Sequence, residues 1–182
     1  MQEKKRQLRK KLRLKREQLN SSYCEAADRK IRERLQNSRI YKDAELIFCY
    51  VSMSGEVDTK ELIVEALREG KRVAVPKCEA KGVMEAVEIT GMEDLEPTAW
   101  GILEPKQGCP RVSPKELDLC IVPCVSCSST GVRLGYGGGY YDRYLPGTDA
   151  VRVILCREQM LCEEIPREEH DCRMDVLITE KL

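Results

Sequence analysis

The stretch Glu45-Leu-Ile-Phe-Cys-Tyr-Val-Ser52, followed by Asp58-Thr-Lys-Glu61, Gly70 and Arg72-Val-Ala-Val-Pro76, decides the fold class. Residues 45–52 are an apolar run with aromatic and β-branched content, which reads as a buried strand. Asp58-x-x-Glu61 has the form of a capping box, opening an amphipathic helix with Leu62, Ile63, Ala66 and Leu67. Gly70 ends that helix where a left-handed cap is expected. Residues 72–76 then supply a second strand. Strand, helix and strand within about thirty residues is the length of a right-handed parallel crossover.

Toward the N-terminus, residues 4–19 hold no Gly or Pro, and Leu8, Leu12 and Leu19 recur near helical spacing. Lys5 and Arg9 lie one turn apart there and share a face. Ser22-x-x-Glu25 reads as a capping box for a second helix with Ala27, Ile31 and Leu35 on one side. Toward the C-terminus, residues 83–89 read as a strand, and residues 91–115, rich in Gly and Pro, as a long surface excursion. Residues 117–123 (LDLCIVP) read as a central strand and 128–131 as a turn. A short helix is expected over 140–145, with strands over 150–156 and 175–179. The alternation predicts an α/β fold over residues 1–182 as one domain: an open, mostly parallel sheet flanked by helices in a Rossmann-like three-layer arrangement.

The composition excludes several function classes. Basic and acidic side chains balance at 31 each, so no global field favours a nucleic-acid partner. No apolar run approaches the roughly 20 residues of a membrane span. The charged N-terminus lacks the apolar stretch of a secretory signal, so a cytoplasmic address is expected. Ten cysteines fit that address as reduced thiols, and Cys49, Cys120 and Cys156 sit in apolar runs as small hydrophobes. Cys120-x-x-x-Cys124-x-x-Cys127 resembles the iron–sulfur spacing of radical S-adenosylmethionine enzymes. Cys120, however, falls inside an expected strand next to Pro123, which is ill suited to wrapping a cluster. Zinc on Cys124 and Cys127 lacks the four ligands of a closed site.

The segment richest in chemical content is Gly131-Val-Arg-Leu-Gly135-Tyr-Gly137-Gly138-Gly139-Tyr140-Tyr141-Asp142-Arg143. Its glycines allow positive φ and a close approach of backbone to ligand. It follows a buried strand and leads into a helix, the place where open α/β sheets bind ligands. Loop N–H groups suit a phosphate, Arg133 adds a charged fork, and Asp142 is a candidate Mg²⁺ ligand. Neither the P-loop pattern nor the dinucleotide fingerprint is present.

Arg133-Leu-Gly-Tyr-Gly-Gly-Gly-Tyr-Tyr-Asp142 resembles the RLGxGxGYYD signature of the 5-formyltetrahydrofolate cyclo-ligase (methenyltetrahydrofolate synthetase) family. Lys5-Arg-Gln-Leu-Arg9, residues 51–59 (VSMSGEVDT), Trp100-Gly-Ile-Leu-Glu-Pro105 and Glu169-His-Asp171 resemble other family elements, in the family's order. The resemblance implies ATP-dependent closure of 5-formyltetrahydrofolate to 5,10-methenyltetrahydrofolate with Mg²⁺. The γ-phosphoryl group goes to the formyl oxygen, N10 attacks the activated carbon, and phosphate departs.

Carried over by position, the resemblance implies that Lys5 and Arg9 hold ATP together with Arg133, Leu134, Gly135, Tyr136, Gly137, Gly138, Gly139, Tyr140, Tyr141 and Asp142. Arg133 and Tyr140 act at the reacting group and Asp142 binds Mg²⁺. Met53, Glu56, Trp100 and Tyr140 line the folate site, with Glu56 on the amino-pyrimidine edge and Trp100 stacked on the pterin. A monomer or weak homodimer is expected. Two departures stand out: Cys127-Ser128 replaces a Phe-Asp pair, and Gly138 stands where some members carry Lys. Alternative functions for the same loop are a catalytically weak nucleotide- or folate-binding module and a sugar-phosphate enzyme.

Overall fold

A computed structural model describes residues 1–181. The chain opens with helices α1 (Gln2–Glu17), α2 (Ser21–Asn37) and α3 (Arg39–Asp43), then strand β1 (Leu46–Cys49), helix α4 (Lys60–Arg68) and strand β2 (Arg72–Ala80). Strand β3 (Val83–Ile89) follows, then β4 (Leu95–Pro97), β5 (Leu103–Pro105) and β6 (Arg111–Val112). The C-terminal part holds β7 (Leu119–Val122), β8 (Ser126–Cys127), β9 (Arg133–Leu134), α5 (Tyr140–Tyr144), β10 (Val151–Leu155) and β11 (Val176–Ile178).

Seven strands form one sheet in the order β11-β10-β7-β1-β2-β3-β6. All neighbours from β11 to β2 are parallel, and β3 and β6 extend the edge antiparallel. The expected strand–helix–strand unit is therefore present, with Ile47 opposite Val73 across β1 and β2. Strands β1 and β7 are buried at every position, as central parallel strands covered on both faces must be. Side chains alternate between two cores. Ile47, Cys49, Val73, Val75 and Ile121 pack with Ile31, Leu35, Leu62 and Ile63 of α2 and α4. Leu46, Phe48, Ala74, Cys120 and Val122 face the opposite core with Leu12 of α1, Leu134 and Leu145.

Three local readings are corrected. The cap of α2 is Asn20, whose side chain accepts the N–H groups of Ser22 and Tyr23 at 2.9 and 3.3 Å; Ser22 lies inside the helix. The cap position of α4 is Thr59, while Asp58 reaches the N–H of Lys60 at 3.3 Å. The excursion over 91–115 contains the β4–β5 hairpin and the edge strand β6.

Candidate active site

A cavity of about 580 Å³ opens beyond the carboxyl ends of β1 and β7, lined there by Tyr50, Val51 and Pro123 and beside them by Pro76 from the middle of β2. That volume suits a small-molecule ligand, for which roughly 300–1,000 Å³ is usual. The glycine loop from Arg133 to Arg143 lines one wall. It hangs from the β8–β9 pair, in which Ser126 opposes Leu134 and Cys127 opposes Arg133. Gly137, at φ 100°, turns the chain in a region that side-chain-bearing residues avoid. At Gly138 the space is shared with a neighbour: a Cβ there would lie 2.8 Å from the ring of Tyr140 and would displace that ring. The helix after the loop is a five-residue turn, so charge at this wall comes mainly from side chains.

Three cations converge on that wall. Arg9 donates from Nε to the Gly135 carbonyl at 2.7 Å. Arg133 donates from Nη1 to the Pro123 carbonyl at 3.1 Å and from Nη2 to Asp142 Oδ2 at 2.8 Å. Its Nε is buried and has no hydrogen-bond partner among the described residues. Lys5 pairs with Asp171 Oδ2 at 2.5 Å and Glu168 Oε2 at 3.0 Å. Burial works against the Lys5 charge, but the Asp171 and Glu168 carboxylates outweigh it and raise its pKa. Burial lowers the pKa of Arg9; the Asp171 carboxylate opposes that shift and the nearby Arg133 charge adds to it.

Of the residues expected at the site, Lys5, Arg9, Met53, Glu56 and all of 133–142 line the cavity. Trp100 does not: it is 89% exposed, and Ile102 and Leu103 from the same hairpin line the wall instead. A tight turn with Gly101 at φ 75° points the indole away. Glu56 is engaged locally, its Oε2 accepting the Met53 N–H at 2.8 Å. Tyr136, raised in pKa by burial and then by the Glu56 carboxylate, accepts from Arg16 Nη1 at 2.9 Å. Tyr141 lies between Phe48, at 6.2 Å between ring centroids, and the Arg133 guanidinium, at 5.7 Å. It packs and orients Arg133.

Asp171 and His170 line the cavity although no role was assigned to them from sequence. Asp171 reaches the site only because α1 and the segment before β11 come together through Lys5. The signal was the Glu169-His-Asp171 motif itself. Neither Cys127 nor Ser128 lines the cavity. Ser128 closes the β8–β9 turn, accepting the Val132 N–H at 3.2 Å, so the departure there leaves the cavity's donor set intact.

All ten cysteines are free. Cys120 is buried in β7, where burial pushes its thiol up to about 12, and its sulfur does not belong to the group that Cys124 and Cys127 form. The sulfurs of Cys124, Cys127 and Cys156 lie within 4.8 Å of one another. Among the described residues no helix is long and apolar enough to cross a membrane.

Fold and cavity together define an open-sheet α/β protein with a small-molecule site at the carboxyl edge of the sheet. Residues 1–180 match the model of the 5-formyltetrahydrofolate cyclo-ligase family, so the chain belongs to that family and is a ligase. It is 31% identical over 153 residues to the 5-formyltetrahydrofolate cyclo-ligase of Mus musculus, covering 77% of this chain and 75% of that one. Similarity to the Escherichia coli 5-formyltetrahydrofolate cyclo-ligase is 32% identity over 142 residues, covering 75% and 78% of the two chains. Among solved structures, the NMR structure of Aquifex aeolicus 5,10-methenyltetrahydrofolate synthetase superposes with a TM-score of 0.86 at 34% identity, covering 98% of this chain and 90% of that one.

Proposed function

We propose that the chain uses ATP to cyclise 5-formyltetrahydrofolate to 5,10-methenyltetrahydrofolate, with release of ADP and phosphate. The observation that supports this most is that Lys5, Arg9 and Arg133 line one cavity together with the glycine loop, Met53 and Glu56. ATP phosphates take the cationic wall, and the pterin takes the side of Met53, Glu56, Ile102 and Leu103. Transfer of the γ-phosphoryl breaks its bond to ADP and forms one to the formyl oxygen. The N10 lone pair then attacks the formyl carbon, the N10 proton leaves, and the carbon–oxygen bond breaks with phosphate as leaving group. Arg133 and the loop amides hold the charge that develops on the phosphoryl oxygens, and Tyr140 contacts the reacting group.

Asp142 and Asp171 give the phosphate wall two hard oxygen donors, which fits Mg²⁺ held by one or two carboxylates plus phosphates. Bound there, Mg²⁺ supplies charge neutralisation on the phosphate oxygens. Ten free thiols support a cytoplasmic setting. The test is absorbance in the methenyl-folate band, with 5-formyltetrahydrofolate and Mg²⁺, with and without ATP. A rise that requires ATP is expected; folded protein that binds ATP but gives no rise would leave a binding module.

A further inference from the structure

Behind the cavity wall lies a group of side chains that the cyclisation does not use. Cys124 follows β7, Cys127 is in β8, and Cys156 directly follows β10. Their three sulfurs lie within 4.8 Å of one another, and none of the three residues lines the cavity. The fold brings them together because β7 and β10 are parallel neighbours that end at the same edge, while β8 folds back over that edge. Cys127 and Cys156 are 0% and 3% exposed, whereas Cys124 keeps a partly open face, which provides a way in.

We propose that Cys124, Cys127 and Cys156 form a three-sulfur binding site for a soft d¹⁰ cation, with Cu(I) as the preferred ion. Three thiolates at one point select thiophilic ions over the hard Mg²⁺ of the phosphate wall. A metal–sulfur bond of about 2.3 Å sets three coplanar sulfurs about 4 Å apart, within the spread seen here. The coordination number chooses between the soft ions. Zinc favours four ligands, and no fourth sulfur, carboxylate or imidazole joins the group among the described residues. The two hydroxyls that flank Cys127 are committed elsewhere, Ser126 Oγ to the Met160 carbonyl at 2.5 Å and Ser128 Oγ to Thr130 Oγ1 at 2.9 Å and the Val132 N–H at 3.2 Å. Cu(I) is satisfied by three sulfurs.

The surroundings favour the negative charge that such a site acquires. Binding replaces three S–H bonds with three metal–sulfur bonds and sends three protons to solvent, which leaves two net negative charges on the assembly. Arg16 donates to the Cys124 and Val125 carbonyls at 3.2 and 3.0 Å, and Arg133 to the Pro123 carbonyl at 3.1 Å. Two guanidinium groups thus lie against the segment that holds Cys124. In the empty site Cys124 Sγ and Cys156 Sγ each donate an S–H to a carbonyl at 3.6 Å, of Leu155 and Arg157 respectively, and metal binding gives up both of these weak bonds. A bound ion clips the end of β7 to the end of β10.

The test uses the whole chain, reduced and anaerobic, offered Cu(I) against bathocuproine disulfonate as competitor. The expected result is one Cu(I) retained per chain, X-ray absorption showing a shell of three sulfurs without oxygen, and a raised thermal midpoint. Cys127→Ala and Cys156→Ala should each lose the retained equivalent, while Cys109→Ala, which changes a thiol outside the group, should keep it. Failure of folded wild-type protein to retain Cu(I), or retention by Cys156→Ala, would overturn the proposal. So would a two-sulfur shell, or Zn²⁺ displacing Cu(I) to give a four-ligand shell. The absorption spectrum of the wild-type chain decides the matter even if an alanine variant fails to fold.

Discussion

Arg157 grips Asp28 with both arms of its guanidinium, Nε to Oδ1 at 2.7 Å and Nη2 to Oδ2 at 2.8 Å. The same side chain donates to the carbonyls of Gly55 at 3.0 Å and Glu56 at 2.7 Å. Both partners are nearly inaccessible, at 5% and 12% side-chain exposure. An ion pair between α2 and the segment after β10 therefore holds the turn that carries Glu56 into the cavity. Removing one member leaves the other charge buried, which costs about 3–5 kcal/mol. Asp28→Ala should lose stability on that scale in urea unfolding and should raise the folate KM more than the ATP KM. A loss below about 1 kcal/mol would put the pair in the class of exposed salt bridges.

Arg133 has a defined task for each end of its fork, Pro123 on one side and Asp142 on the other. Arg133→Ala should cut kcat by about 10²–10³-fold, the usual cost of removing a donor aimed at developing charge. Arg133→Lys should not restore the rate, because a single ammonium cannot span both partners. Steady-state kinetics alongside circular dichroism checks this. Near-normal turnover in folded Arg133→Ala protein would remove the arginine from the phosphate wall.

The parts of this molecule that sequence made legible are those specified locally. Residues 45–76 announce a parallel crossover because burial on both faces requires continuous apolar strands, and the glycine loop because its backbone needs residues without Cβ. The full length of β2 was hidden by Pro76. Strand β1 pairs with β2 only from Arg72 to Ala74, so beyond it β2 has one free edge and the missing N–H of proline costs no ladder bond. The three-residue strands β4 and β5 are too short to show a period. Trp100 was misplaced because an aromatic near a site motif suggests stacking, while a glycine turn sends it outward. Asp171 opposite Lys5, and Cys156 beside Cys124, are joined only by tertiary contact and have no local signature.

Gly138 and Tyr140 share one small volume, since a Cβ on the glycine would stand 2.8 Å from ring carbons Cδ2 and Cε2. The backbone at Gly138 is not among the left-handed glycines, so the fold tolerates a side chain there. Gly138→Ala should therefore leave stability nearly unchanged and lower kcat by turning the Tyr140 ring. In a Tyr140→Ala background the same change should have little further effect. The cycle should give a coupling of roughly 0.5–3 kcal/mol in kcat/KM, as expected for side chains in contact. Additive losses would show that Gly138 acts through the loop backbone alone.

Lys5 and Asp171 set a pH window for the attachment of α1 to the segment before β11. The folded pKa of Lys5 lies above its ordinary 10.5, so its contribution is complete below 10.5 and fades as pH rises through the folded value. Asp171 is opposite in sign: burial acts to raise its pKa, but the Glu168 N–H and the Lys5 ammonium win and hold it below its ordinary 3.8. Its contribution is complete above 3.8 and fades as pH falls through the folded value. The stability gap between wild type and Lys5→Met should then be flat from about pH 5 to 9 and shrink at both extremes, measured by urea unfolding across pH. A gap that stays constant down to about pH 2 would mean that Lys5 stabilises through packing of its aliphatic stem, not through its ion pairs.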